Sequence, residues 1–353
     1  MELADTYRQI EARLDQLDFA ALHRGFSRFP FSLYRDNQAF FQGEYMDRPE
    51  NFLGNTSVQY NGADTAIWEL TDSAADLDVL TSKIVHEMLH AYQHASGESR
   101  WANEREALVK YRYDEKNLSA RLAEAELMQK CLSGDDPDAF SALLSLRKAR
   151  MTHFPYAYDY EARIEQIEGT AQFVELSALN QLNPEKAEKR WAETISQLRS
   201  PAWYFPARAI TYTSGAAFLA CLKKYTDFDT DAFTDTPFSV AAIEKAAVCP
   251  LPDCDGQIEA CLADWKKRLQ ATVEKALEKN EIVLQGENRM VGWNVYDASW
   301  DGTYAVLTAF LAYIEGMDMP ANDEEVYARM KVLQGDFVAA MDAEYRLSCV
   351  WRQ

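Results

Sequence analysis

Histidine is scarce in this chain, with five among 353 residues. Basic residues are also few: 36 Lys and Arg stand against 56 Asp and Glu, a formal net charge of −20. Polyanion binding needs clustered cations, so nucleic acid and anionic membrane surfaces are not expected partners. No window approaches the run of about 18 apolar residues needed to span a bilayer. The N-terminus, MELADTYRQIEARLDQLDF, has early acids and no apolar core, unlike a secretory signal. A cytoplasmic location is therefore expected. The six cysteines (131, 221, 249, 254, 261 and 349) are expected as free thiols in such a setting. CPLPDC holds Cys249 and Cys254, with Cys261 following. No second Cys or His pair completes a structural zinc pattern there. Internal repeats and low-complexity tracts are missing as well.

Hydrophobic residues make up 48% and aromatics 12%, enough for a large core in one big domain or two smaller ones. Residues 3–17 have amphipathic helical spacing. RFPFSLYRDNQAFFQGEYM alternates aromatic and polar residues, as strands do. TSVQY and TAIWEL flank NGAD, the pattern of a hairpin. A long helix is predicted from Asp76 to Ala95, with Leu77, Leu80, Ile84, Met88 and Ala91 three or four apart and Gly97 as its stop. Residues 101–150 predict a helical hairpin broken at SGDDPD. Further helices are expected over 160–179, after PAWYFPARAITYTSG, and over 257–280. Beyond 281 the chain becomes aromatic and β-prone. The expected class is α+β and predominantly helical. Residues 1–280 would form the main domain, with 101–150 inserted, and 281–353 a small β-rich domain with some α/β character.

Three of the five histidines fall in HEMLHAYQH, at positions 86, 90 and 94. Residues four apart share a helix face, so His86 and His90 can hold one metal ion. Glu87, on the adjacent edge, can take a proton from the attacking water without being a ligand. By ordinary residue frequencies HExxH arises in about one chain in a hundred of this length. Its place inside a strongly periodic helix raises its weight. A catalytic zinc needs a third protein ligand. Gln93 and Ser96 stand where a metzincin would carry Gly and His, which excludes that pattern. His94 points round the helix, to pack or bind water. A later segment, YEARIEQIEGTAQFVEL, places Glu161, Glu165, Glu168 and Glu175 in one acidic stripe, read for the most part as a solvated face. Glu168 differs because Gly169, Thr170 and Ala171 allow close packing beside the metal helix.

HEMLHAYQ followed by EGTAQFVE resembles the gluzincin branch of zinc metallopeptidases, in particular its peptidase-MA-like members. The resemblance spans roughly residues 54–225. It implies a zincin-like catalytic domain, with Zn2+ held by His86, His90 and Glu168. It makes TAIWEL the edge strand that receives substrate. TYTSGAAFLACL resembles the helix start that supplies a tyrosine, and this implies Tyr212 as donor to the oxyanion, with Arg208 a second candidate. Two departures stand out. His90 and Glu168 are far apart in sequence, which the 101–150 hairpin explains and which suggests a lid over the cleft. Gln172 occupies the position of a carboxylate that orients a zinc histidine; Glu175 or Glu165 could replace it.

The resulting expectation is a zinc-dependent peptidase acting on a peptide or protein substrate, with a metal-activated water and Glu87 as general base. The alternative is a catalytically weakened zincin-fold protein that binds or regulates. A zinc hydrolase of non-peptide substrates is a third reading. Nothing before HExxH resembles an aminopeptidase signature, which leans towards endopeptidase action.

Overall fold

A computed structural model describes residues 2–71, 76–232, 234–316, 318, 319 and 322–353. Helices α1 (Leu3–Leu14) and α2 (Phe19–Leu22) precede strands β1 (Phe31–Arg35), β2 (Gln38–Phe41), β3 (Glu44–Asp47), β4 (Thr56–Tyr60) and β5 (Ala63–Glu69). The long helix α3 (Leu77–Ala95) is next, then α4 (Glu104–Lys110), α5 (Glu115–Ser133), α6 (Pro137–His153) and α7 (Pro155–Ile164). α7 runs through a π turn, Glu165–Gly169, into α8 (Thr170–Leu182). Helices α9 (Pro184–Leu198), α10 (Ala207–Tyr225), α11 (Phe238–Ala241) and α12 (Gly256–Lys279) complete this part. The remainder is β6 (Ile282–Trp293), β7 (Ser299–Trp300), β8 (Tyr304–Leu307), β9 (Phe310–Glu315), α13 (Asp323–Arg329), β10 (Lys331–Gln334), β11 (Phe337–Met341) and β12 (Arg346–Arg352). Among the described residues no helix is long and apolar enough to cross a membrane. All six cysteines are free.

The first sheet has the order β3-β2-β1-β5-β4, with β1 and β5 parallel and the other pairs antiparallel. Asn61 and Gly62 both have positive φ, 49° and 78°, so they alone form the two-residue turn. Ala63 and Asp64 then pair as part of β5. The edge of the sheet is consequently TSVQY, not TAIWEL: β5 is held between β1 and β4. β1 can reach β5 because the apolar Phe31 and Leu33 share one buried cluster with Ala66 and α3.

α3 begins where expected. The Asp76 side chain accepts from the Asp78 and Val79 N–H groups, and Gly97 ends the helix region at φ 73°. Its apolar face (Leu80, Ile84, Val85, Met88) packs on the sheet and on Ala171, Val174 and Ala178 of α8. Of the small residues after Glu168, Ala171 packs in the cluster with α3. Gly169 faces α10 instead. A Cβ on Gly169 would lie 2.7 Å from Gly215 Cα, and one on Gly215 would lie 2.8 Å from Gly169 Cα, so backbone meets backbone there.

The α5–α6 hairpin is no lid. Leu118, Leu122, Ala125 and Leu143 are buried in one core with Phe218 and Leu222 of α10. Its inner face also carries Arg121, Arg147 and Arg150, which meet Glu124, Glu161 and Glu165 in a buried, charge-balanced cluster. Glu161 and Glu165 are 3% and 2% exposed, which overturns the solvated face expected for them. The π turn explains the split of the acidic stripe. One widened turn rotates the next residues of the helix, so Glu161 and Glu165 point to the arginines while Glu168 and Glu175 point to α3.

The C-terminal strands form one seven-stranded sheet, β10-β9-β6-β12-β11-β8-β7, in which every pair is antiparallel. It is β-rich as expected, but among the described residues α13 is the sole helix within it, so the α/β character is slight. Alternation sets its two faces. Phe337, Ala339 and Met341 of β11 join a core with Leu307 and Leu347, while Val338 packs on Val273 and Ala276 of α12. Val109 of α4 enters the first of these cores, and Tyr345 Oη donates to the Arg105 carbonyl, so α4 ties this sheet to the helices.

Candidate metal centre

His86 and His90 lie one turn apart on α3, with ring centroids 4.9 Å apart. The π turn delivers Glu168 between them. Glu168 Oε2 is 3.6 Å from His86 Nε2 and 3.2 Å from His90 Nε2. Two ligands bound tetrahedrally at about 2.1 Å stand about 3.4 Å apart, so these spacings match the demands of a small cation. One ligand atom from each of the three residues lies within 4.8 Å of the others. The donor set, two imidazole nitrogens and one carboxylate, is one of those that hold catalytic zinc with an open fourth position.

The outer nitrogens of both rings are occupied. His86 Nδ1 is 3.2 Å from Glu175 Oε2, and His90 Nδ1 is 2.8 Å from Gln93 Oε1. Both rings therefore turn Nε2 to the centre. Glu175 takes the orienting place that Gln172 leaves empty; Glu165 is committed to the buried arginines. Arg208 Nη2 donates to Glu168 Oε1 at 2.9 Å, and Nη1 donates to Glu104, which also accepts from Tyr160 Oη at 2.8 Å. Arg208 thus holds the second oxygen of Glu168 and bridges it to Glu104, while its Nε–H is buried without a partner among the described residues.

Electrostatics reflect burial and these pairs. Burial would lower both imidazolium pKa values, yet Glu168 and Glu175 hold that of His86 well above its usual range, and Glu168 raises that of His90. Burial opposes ionisation of Glu168, but His90, His86 and Arg208 outweigh it and keep its pKa well below normal. Glu87 is pushed up by burial, a pull that the two histidines only partly offset. Among the described residues the Glu87 carboxylate has no hydrogen-bond or ion-pair partner, so both oxygens are free to act.

Tyr212 lines the same cleft. Its hydroxyl donates to Tyr296 Oη at 3.4 Å, and burial, followed by Glu168, pushes its pKa far up, so it stays a donor. Asn55, Thr56 and Ser57, leading into and opening edge strand β4, form the opposite wall. His94 does pack, stacking on Trp101 with centroids 4.7 Å apart. The structure thus brings together His86, Glu87, His90, Glu168 and Tyr212. Sequence reasoning missed Tyr296, Trp101 and Glu104. Tyr296 comes from the loop between β6 and β7, and nothing in its neighbourhood marks it. Glu104 carried a weak signal, an acid in the first turn of a helix that starts beside Trp101.

Comparison of the chain with protein-family models, with curated proteins and with solved structures finds no match.

Proposed function

We propose that this chain is a zinc-dependent peptidase. The observation that carries the reading is the convergence of His86, His90 and Glu168 beside an unpartnered Glu87 and the hydroxyl of Tyr212. When bound, zinc supplies Lewis acidity, polarising a carbonyl and bringing the pKa of an attacking water towards about 7. Glu87 Oε takes the water's proton and passes it to the leaving amine, a role suited to a carboxylate whose pKa burial has raised. Tyr212 Oη donates to the oxygen on which negative charge develops. Edge strand β4 offers the substrate a backbone ladder. In the β4–β5 hairpin Tyr60 pairs with Ala63 across the turn, so alternate residues turn their backbone groups outward. Gln59 O is one such group and accepts from Asn51; Ser57, the other, lines the cleft. Ser57 lines the same cleft as His86, His90 and Glu168, so an extended peptide paired there is brought to the proposed ligands. Because Glu175 supports His86, Gln172 gives no reason to favour a catalytically weakened binding protein.

The test is a library of quenched fluorescent peptides. Zinc-loaded chain is expected to cleave members of it, to lose that activity on chelation and to regain it on zinc addition. Cleavage unaffected by chelators would remove the metal from the account.

The site also sets a pH dependence. Metal binding needs both imidazoles neutral, so zinc displaces their protons. With both pKa values raised in the metal-free chain, apparent zinc affinity is full only above them. It falls as pH drops through them, starting above the usual imidazole value of 6.5. Two protons allow a slope of up to about two decades per pH unit. Stability of the metal-free chain runs the other way. The histidine–carboxylate pairs contribute fully below the unfolded pKa and are lost as pH rises through the raised one. Chelator competition and thermal melts across pH 5–9 read the two opposed trends.

A further inference from the structure

Gln93 is buried, 6% exposed, and lies one turn beyond His90 on α3. A buried amide needs a suitable partner at each end, and the two ends differ. Here Nε2 is 3.1 Å from the Ile167 carbonyl and Oε1 is 2.8 Å from His90 Nδ1. A backbone carbonyl only accepts, so the end facing Ile167 must be the NH2 group. The end facing His90 is then an oxygen, which also only accepts. His90 Nδ1 must carry a proton and donate it. A neutral ring protonated there keeps its lone pair on Nε2, the nitrogen 3.2 Å from Glu168 Oε2.

The clamp depends on where the Ile167 carbonyl stands. It belongs to the π turn, in which the Thr170 N–H reaches back five residues to Glu165 O. That turn is held from several sides. Ser214 Oγ donates to Glu165 Oε1 at 2.8 Å, and Arg147 donates to the other oxygen. The Phe238 N–H donates to Gln166 Oε1 at 2.9 Å, and Gly169 rests on Gly215. Single π turns recur at functional sites, and this one carries Glu168 as well.

We propose that Gln93, clamped by the Ile167 carbonyl of the π turn, is a positioning residue that fixes His90 with Nδ1 protonated and Nε2 presented to the metal. The proposal rests on the reading of this site as a metal centre. One irregular turn then both supplies a ligand, Glu168, and orients another, His90.

The test compares the intact chain with Gln93→Met and Gln93→Glu. Zn2+ affinity is measured by competition with a chromophoric chelator. The Co2+-loaded proteins are examined by proton NMR for the shifted, exchangeable imidazole N–H signals. Gln93→Met removes the acceptor. It is expected to bind Zn2+ about 10–100-fold more weakly and to lose the His90 N–H signal to exchange with water. Gln93→Glu keeps an acceptor and needs no clamp, because both its oxygens accept. It is expected to stay within about threefold of the natural chain and to keep both signals, while melting lower for want of a donor to Ile167. Should the Met variant fail to fold, the Glu variant decides by its signals. Equal Zn2+ affinity in Gln93→Met with both signals present, or loss of the His90 signal in Gln93→Glu, overturns the role of Gln93 alone. A natural chain that takes up neither ion overturns the metal centre, and the proposal with it.

Discussion

Glu87→Gln is expected to lower peptide hydrolysis by about 10²–10⁴-fold while leaving zinc bound at an unchanged ratio. The amide keeps the shape of the side chain and can still hydrogen-bond, but it cannot take a proton. The Glu87 carboxylate has no hydrogen-bond or ion-pair partner among the described residues, and its pKa is raised because burial outweighs the attraction of His86 and His90. Removing its charge therefore relieves a cost, and the variant should melt no lower than the natural chain. Turnover of a library-selected peptide, with metal content measured on the same samples, separates proton transfer from metal binding. Activity within threefold of the natural chain would take the general-base role away from Glu87. Loss of zinc together with activity would make Glu87 part of the metal-holding set.

Arg150→Met should lower unfolding free energy by about 3–5 kcal/mol, read from denaturant melts. Arg150 is 1% exposed and serves three partners: Glu161 Oε2 at 2.5 Å, Glu124 Oε2 at 3.0 Å and Asn117 Oδ1 at 2.9 Å. Methionine fills much of the volume but leaves two buried carboxylates short of a cation. The remaining arginines are poorly placed to compensate, with Arg121 at 3.5 Å from Glu161 and Arg147 at 3.8 Å from Glu124. A domain's whole stability is about 5–15 kcal/mol, so the loss is a large share of it. The effect should also reach the cleft, because Glu161 stands on the helix that runs into the π turn. A loss under about 1 kcal/mol would mean that water or rearrangement neutralises the exposed carboxylates, and that the cluster does not hold the turn.

The parts of this architecture that were legible are those decided by local chemistry. Asp76, the apolar spacing of α3 and Gly97 bracket one helix, and His86 and His90 share its face because of helix geometry alone. Glu168 could be singled out by the small residues after it, although Gly169 turned out to serve α10. The illegible parts depend on which distant group a side chain meets. The spacing of Glu161, Glu165, Glu168 and Glu175 describes one face only if the helix is regular, and a π turn has no clear sequence mark. The arginines of α5 and α6 offered a usable signal: Arg121 follows Leu118, and Arg147 follows Leu143, on faces otherwise apolar. Charges in such positions announce buried partners. The resemblance makes TAIWEL the edge strand, but both strands of the hairpin are β-prone, and only the parallel pairing of β1 with β5 shows that TSVQY is the edge. Tyr296 enters the cleft through tertiary packing, beyond the reach of motif or periodicity.

The central claim is that His86, His90 and Glu168 hold one metal ion. Metal content of the purified chain, measured by plasma mass spectrometry beside Glu168→Ala, tests it most directly. The account predicts about one zinc per chain and little or none in the variant, since the ion would lose one of three protein ligands. A natural chain that holds no zinc after zinc is supplied, or a variant that keeps its full complement, would contradict it.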